Sequence, residues 1–287
     1  MEYRPFRVSF ISNFHQPFLR LFPVQIQRSI FCGELYYTME KEKKLAVLID
    51  GDNVPSAQVK EMLEEIAKYG IPSIKRIYGD WTNPRLGKWK GVLLENAIVP
   101  VQQYGYTTGK NATDSAMIID AMDILYSQRV DGFCIVSSDS DFTRLAIRLR
   151  EAGMNVIGMG EHKTPQPFIV ACDKFIYLEI LKSAQNALSE NSSRTKESQK
   201  SKVKLESLTP KVISFIQSTV QDVMDESGWA FLGDVGSLLQ KKQPNFDSRN
   251  YGFQKLTLLI QSTGKFDIED RTNQKGKFKL IFIRPKQ

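Results

Sequence analysis

The chain has 287 residues, 41% hydrophobic and 25% charged, a globular composition long enough for one large domain or two ordinary ones. Its net charge of +7 is lopsided: from Ser189 onward 17 Lys and Arg face 11 Asp and Glu, while the preceding residues nearly balance at 22 against 21. A near-neutral body with a basic C-terminal third points to a polyanion partner. Cys32, Cys134 and Cys172 have neither zinc-site spacing nor the even count of a disulfide framework, which fits a reducing, cytoplasmic compartment.

Residues 1–42 carry apolar residues without a clear period. They lack the apolar core and small-residue cleavage site of a secretory signal. They are read as an N-terminal extension outside the working protein, either disordered or preceding a native start at Met39. No apolar run approaches the roughly 20 residues of a membrane span.

From Lys44 the pattern becomes regular. The run Leu45–Ile49 reads as a strand and ends in "DGDN", Asp50 to Asn53. Asp-Gly is a common hairpin turn, but that reading needs a second strand straight after. "VPSAQVKEMLEEIAKYG" follows instead, with Val59, Met62, Leu63, Ile66 and Ala67 at helical spacing and Gly70 as the stop. Further strands are expected at Ile74–Tyr78, Ile98–Gln102, Phe133–Ser137, Val156–Met159 and Phe175–Leu178. Helices are expected at Ser56–Tyr69, Leu86–Asn96, Thr113–Ser127 and Phe142–Ala152. Such alternation predicts an α/β domain over 43–185, with a mainly parallel sheet and helices on both faces. "SENSSRTKESQKSKVK" has no apolar period and places a flexible linker within 186–206. Beyond it, residues 207–285 read as three short helices, the first led by Thr209, and a terminal hairpin, which describes a winged helix.

Three strand-to-helix elbows carry acids. Asp50 and Asp52 lie on the first, Asp114 follows the plausible N-cap Thr113 on the second, and Asp139 and Asp141 lie on the third. Carboxylates at several strand ends of one parallel sheet converge, and they raise one another's proton affinity unless a cation sits among them. Oxygen ligands in this number suit Mg²⁺ or Mn²⁺, the ions of metal-assisted phosphodiester hydrolysis. His15 and His162 are the only histidines, which gives a histidine mechanism little to draw on. Asp120 falls about 240° round the helix from Asp114, so it is expected in a supporting or salt-bridged role. Lys110 is expected to steady a carboxylate, touch phosphate or lie in solvent.

Together "VLIDGDN", "YGDW", "GKNATDSAMIIDAMD", "VSSDSDFTRLAIRLREAG" and "VIGMGEHKTP" resemble the NYN domain, a PIN-like nuclease fold, of the bacterial LabA-like kind. The resemblance implies a metal-dependent ribonuclease. Asp50, Asp114 and Asp139 would be its metal ligands and Asp141 a fourth catalytic acid, with Asp52 and Asn53 orienting the first elbow. The same opening, Asp50-Gly-Asp52-Asn-Val54, also resembles haloacid-dehalogenase-type phosphatases, in which Asp50 would be the nucleophile. A third expectation is a catalytically silent RNA-binding adaptor. "VGSLL", "PNFDSRNYGFQKL" and the terminal hairpin resemble the OST-HTH, or LOTUS, winged-helix domain, which implies RNA binding. Leu238, Leu239, Phe253, Leu256 and Leu259 are read as its core, with Phe246 and Tyr251 beside them. Lys241, Lys242, Arg249, Lys255, Lys275 and Lys277, with Arg271 and Lys279, are its candidate contacts to phosphate. RNA is thus the expected partner and a membrane is not, while a homodimer is compatible with the pattern.

Overall fold

A computed structural model describes residues 26–31, 34–39, 42–104, 112–181, 206–272 and 279–286. It divides into two units, 1–42 and 43–287. In the first, β1 (Ile26–Phe31) and β2 (Glu34–Met39) form an antiparallel pair with Ile26 opposite Met39.

The second unit opens with β3 (Lys44–Asp50), α1 (Val59–Ile66), β4 (Ile71–Gly79), α2 (Trp89–Glu95), β5 (Val99–Gln102) and α3 (Ala112–Tyr126). It continues through β6 (Gly132–Val136), α4 (Thr143–Glu151), β7 (Asn155–Gly160), α5 (Gln166–Ala171) and β8 (Lys174–Tyr177). The six strands β3 to β8 form one all-parallel sheet in the order β5-β4-β3-β6-β7-β8. The period of two sorts side chains onto opposite faces. Ala46 and Leu48 of β3, with Phe133 and Ile135 of β6, enter one core with α3, α4 and α5. Leu45, Val47 and Ile49, with Cys134 and Val136, enter the other with α1 and α2. From Leu45 in β3 and Gly132 in β6, both central strands are therefore buried and without polar side chains until the chain emerges at their carboxyl ends. The free thiols Cys134 and Cys172 are buried. Burial drives Cys134 far above the ordinary thiol range and pushes Cys172 up to about 12.

The C-terminal module contains α6 (Pro210–Val223), β9 (Ala230–Phe231), α7 (Leu232–Lys242), α8 (Leu256–Thr263), β10 (Phe266–Thr272) and β11 (Lys279–Pro285). Thr209 caps α6 as expected, its Oγ1 accepting the Val212 N–H at 3.4 Å, and Pro210 follows where its missing donor costs nothing. The strands form an antiparallel sheet, β10-β11-β9. Its inner face and the helices enclose Ile216, Val220, Val235, Leu239, Phe246, Tyr251, Leu259 and Ile283, with Phe253 and Leu256 partly buried against them. Leu238, expected in this core, is only half-buried and outside that cluster.

The Ser/Lys segment lies almost wholly outside the described residues. A tether alone would leave the pose of the second module open, but the two modules meet. The Pro244 carbonyl accepts the Phe175 N–H of edge strand β8 at 2.9 Å, and Asn245 Nδ2 donates to the Tyr177 hydroxyl at 2.9 Å. Arg249 forks onto Glu65 of α1 with bonds of 2.9 and 2.8 Å. Edge strand β8 is thereby covered rather than left open for pairing.

Candidate active site

Asp50 ends β3 and is 1% exposed. Its Oδ2 accepts Asn53 Nδ2 at 2.6 Å and the Ser137 hydroxyl at 2.7 Å, while Oδ1 accepts the Asp52 N–H at 3.2 Å. The Asn53 side chain and the Asp52 N–H thus hold the Asp50 carboxylate on the first elbow. Gly51 lets that elbow lie flat on the neighbouring strand. Its N–H reaches the Tyr78 carbonyl at 2.9 Å, and a Cβ there would stand 2.7 Å from the same oxygen.

Ser137 follows β6 and joins two elbows. Its hydroxyl donates to Asp50 and accepts the Asp139 N–H at 3.1 Å. Asp139 in turn accepts the Asp141 N–H at 2.9 Å and caps the turn Ser140–Phe142, which leads into α4. Asp114 lies in the first turn of α3. Asp114, Asp139 and Asp141 each bring a carboxylate oxygen within 4.8 Å of the others. The sequence-expected metal ligands, Asp50, Asp114 and Asp139, share two members with this group. Asp141 joins them, and Asp50 stands alongside.

Electrostatics carry the mark of the crowding. Partial burial first, then Asp50, Asp139, Asp141 and Asp52 in turn, raise the Asp114 carboxyl to about 6. Asp52 is raised too, by desolvation and then by Asp50, although a Thr113 hydrogen bond and Arg85 pull the other way. Asp80, which the sequence reading passed over, adds to the repulsion on Asp52. It accepts Thr82 Oγ1 at 2.6 Å and Gln102 Nε2 at 2.9 Å. Asp120 is salt-bridged, as expected: Arg76 and the Tyr78 hydroxyl both donate to it. His162 stacks on Tyr177 at 4.1 Å and its backbone N–H reaches Glu179, so its ring is engaged rather than simply solvated. Lys110 lies outside the described residues.

A set of carboxylate oxygens with no histidine or thiolate among them fits a hard divalent cation. Ser137 carried no specific signal, since a serine at a strand end has many uses. Only its position one residue before "SDSD" set it apart.

Among the expected polyanion contacts, Lys241 and Lys255 are exposed. Lys242 pairs with Asp222. Arg249 gives its guanidinium to Glu65 and Asp247. Lys275 and Lys277 lie outside the described residues.

No curated protein matches the chain. Solved structures do. A solution structure of an uncharacterized protein from Nitrosomonas europaea is 31% identical over 33% of this chain and 92% of its own, with a TM-score of 0.26. A crystal structure of a protein of unknown function from Vibrio parahaemolyticus is 20% identical over 48% of this chain and 96% of its own, with a TM-score of 0.41. A solution structure of a Chromobacterium violaceum protein is 30% identical over 27% of this chain and 82% of its own, with a TM-score of 0.23. Among families, the NYN domain matches residues 44–179 and the OST-HTH/LOTUS domain residues 204–278. The chain is therefore an NYN domain followed by an OST-HTH/LOTUS domain.

Proposed function

We propose that this protein is a metal-dependent ribonuclease: the NYN domain hydrolyses RNA phosphodiesters, and the OST-HTH/LOTUS module captures the strand. The observation that carries this reading is the approach of Asp114, Asp139 and Asp141 to within 4.8 Å at the carboxyl end of a parallel sheet. Three acids held so close repel, and a divalent cation removes the repulsion. Asp114, Asp139 and Asp141 would hold Mg²⁺ or Mn²⁺, with Asp50 adding negative charge beside them. When bound, the ion neutralises charge on a phosphoryl oxygen and makes a coordinated water more acidic.

The chain's own groups supply the alignment. Ser137 ties Asp50 to Asp139, and Asn53 fixes the Asp50 carboxylate from the other side. The two buried thiols fit a reducing, cytoplasmic setting. Nucleophilic phosphatase chemistry at Asp50 is disfavoured, because that residue is 1% exposed and both its oxygens already accept hydrogen bonds.

Incubating the full chain with end-labelled single-stranded RNA, in Mn²⁺ and in EDTA, tests the reading. Cleavage is expected only with the ion and is expected to disappear in Asp139→Asn. RNA that is bound but never cut would make the protein a silent adaptor. A phosphoaspartate trapped on Asp50 would make it a phosphatase.

A further inference from the structure

The outer face of the C-terminal sheet has no part in the chemistry above. Strand register sorts its residues. Ala230, Ile268 and Ile283 point into the module's core, so Phe231, Phe282 and Arg284, their alternates, point outward. Arg271, opposite Leu280, lies on the same outward side. Four contacts among rings and guanidinium groups assemble there. The Phe231 and Phe282 rings lie 5.7 Å apart. The Arg271 guanidinium stands 4.3 Å over Phe282 and 5.3 Å from Trp229, and the Arg284 guanidinium stands 4.7 Å over the same Trp229 ring. Trp229, Phe231, Phe282 and Arg271 are all partly exposed, and Arg284 is exposed.

The arrangement is built rather than incidental. Asp225 holds Trp229 in place: its Oδ1 accepts the Trp229 N–H at 3.0 Å, and its own N–H donates to the Trp229 carbonyl at 2.8 Å. Glu269 accepts two bonds from Arg271, at 3.1 and 3.2 Å, and Asp267 accepts Arg284 Nε at 3.0 Å. Each guanidinium therefore has a carboxylate at its edge and its central carbon over an aromatic ring. Edges so committed are poor at chelating phosphate, whereas flat faces stack.

We propose that Trp229, Phe231 and Phe282, interleaved with Arg271 and Arg284, form a stacking platform for the unpaired bases of single-stranded RNA. The proposal rests on the reading of this chain as a protein that captures RNA, and it names how the capture is made. Nucleobases stack on exposed aromatic and guanidinium faces because both partners are flat and polarizable. A base inside a duplex has its faces covered and cannot join. The basic C-terminal third favours a nucleic acid over a neutral protein partner. The carboxylates at the arginine edges imply that this face reads bases far more than phosphate charge, so its salt dependence is shallow.

The test is binding of the full chain, in EDTA, to short fluorescent RNAs of equal length. One is oligouridylate, one carries abasic positions in place of the bases, and one is a duplex. The base-bearing single strand is expected to bind about tenfold tighter than the abasic one, the worth of roughly one stacked base. Phe282→Thr and Arg271→Gln, each with an unchanged circular dichroism spectrum, are expected to bring the two near parity. Oligouridylate is also expected to quench tryptophan emission in the native chain and not in Trp229→Phe. Equal binding of base-bearing and abasic strands overturns the proposal, as does a full preference surviving in both variants. The nuclease reading fails separately. A chain that prefers bases but never cuts RNA in Mn²⁺ keeps the platform and loses the nuclease, and one that cuts without base preference does the reverse.

Discussion

Asp114 shows how much one side chain reports about its surroundings. Its carboxyl is raised from 3.8 to about 6, by burial first and by Asp50, Asp139, Asp141 and Asp52 after it. An acid whose folded value lies above its unfolded one costs stability once ionised. That cost appears as pH rises past 3.8 and is complete above about 6. The full shift corresponds to about 3 kcal/mol, which solvent screening at this half-exposed position cuts to about 1 kcal/mol. Asp114→Asn is therefore expected to raise the metal-free melting temperature at pH 7, to leave it unchanged at pH 4, and to abolish stabilisation by added Mn²⁺. Calorimetry at the two pH values checks all three. Ser137 is the opposite kind of residue, fully buried and bonded to two acids at once. Ser137→Ala removes a donor from a buried carboxylate, so a loss of about 1–3 kcal/mol is expected in urea unfolding, with weaker Mn²⁺ binding. The acids were legible in sequence because charge at the end of an apolar strand is conspicuous. Ser137 and Asp80 were not, because their meaning lies in what they touch across the sheet.

At the scale of elements, the six parallel strands were legible from apolar runs set between helical repeats. β3 and β6 bury every residue that the runs suggested. Helix α5 went unread because Gln166–Ala171 is too short for a period to show. The β1–β2 pair was equally silent, since its strands lack a regular alternation of apolar and polar residues. The elbow after β3 was conspicuous in sequence for its acids, but the reason its glycine matters lies in the neighbouring strand. Gly51→Ala would drive a Cβ to 2.7 Å from the Tyr78 carbonyl, so the elbow must lift. A cost of about 1–3 kcal/mol is expected, as for overpacking elsewhere, together with a displaced Asp50. Chemical denaturation and Mn²⁺ titration of the variant read the two effects. An alanine variant as stable as the native chain, with native metal affinity, would show that the elbow has slack.

The contact between the modules is where sequence said least, because a Ser/Lys tether says nothing about what its ends touch. Glu65 is buried on α1, and burial alone would raise its carboxyl. Hydrogen bonds from Arg249 and then Lys68 overcome that and hold it down at about 2. Asp247 grips the other side of the same guanidinium, and Asn245 and Pro244 bond to Tyr177 and Phe175 nearby. A depressed carboxyl contributes stability that is present above its unfolded value of 4.5 and is lost as pH falls toward about 2. Here the stability belongs to the docked pose, since Arg249 and Glu65 lie on different modules. Acidification through that window is therefore expected to part the modules before either unfolds. Arg249→Met should part them at neutral pH, because it leaves the Glu65 charge buried with Lys68 alone, a loss of about 3 kcal/mol or more while docked. Small-angle scattering of the variant should give a larger radius of gyration than the native chain, with an unchanged circular dichroism spectrum. Native compactness in Arg249→Met would mean that the Pro244–Phe175 and Asn245–Tyr177 bonds suffice, and that the ion pair sets the register of docking without holding it.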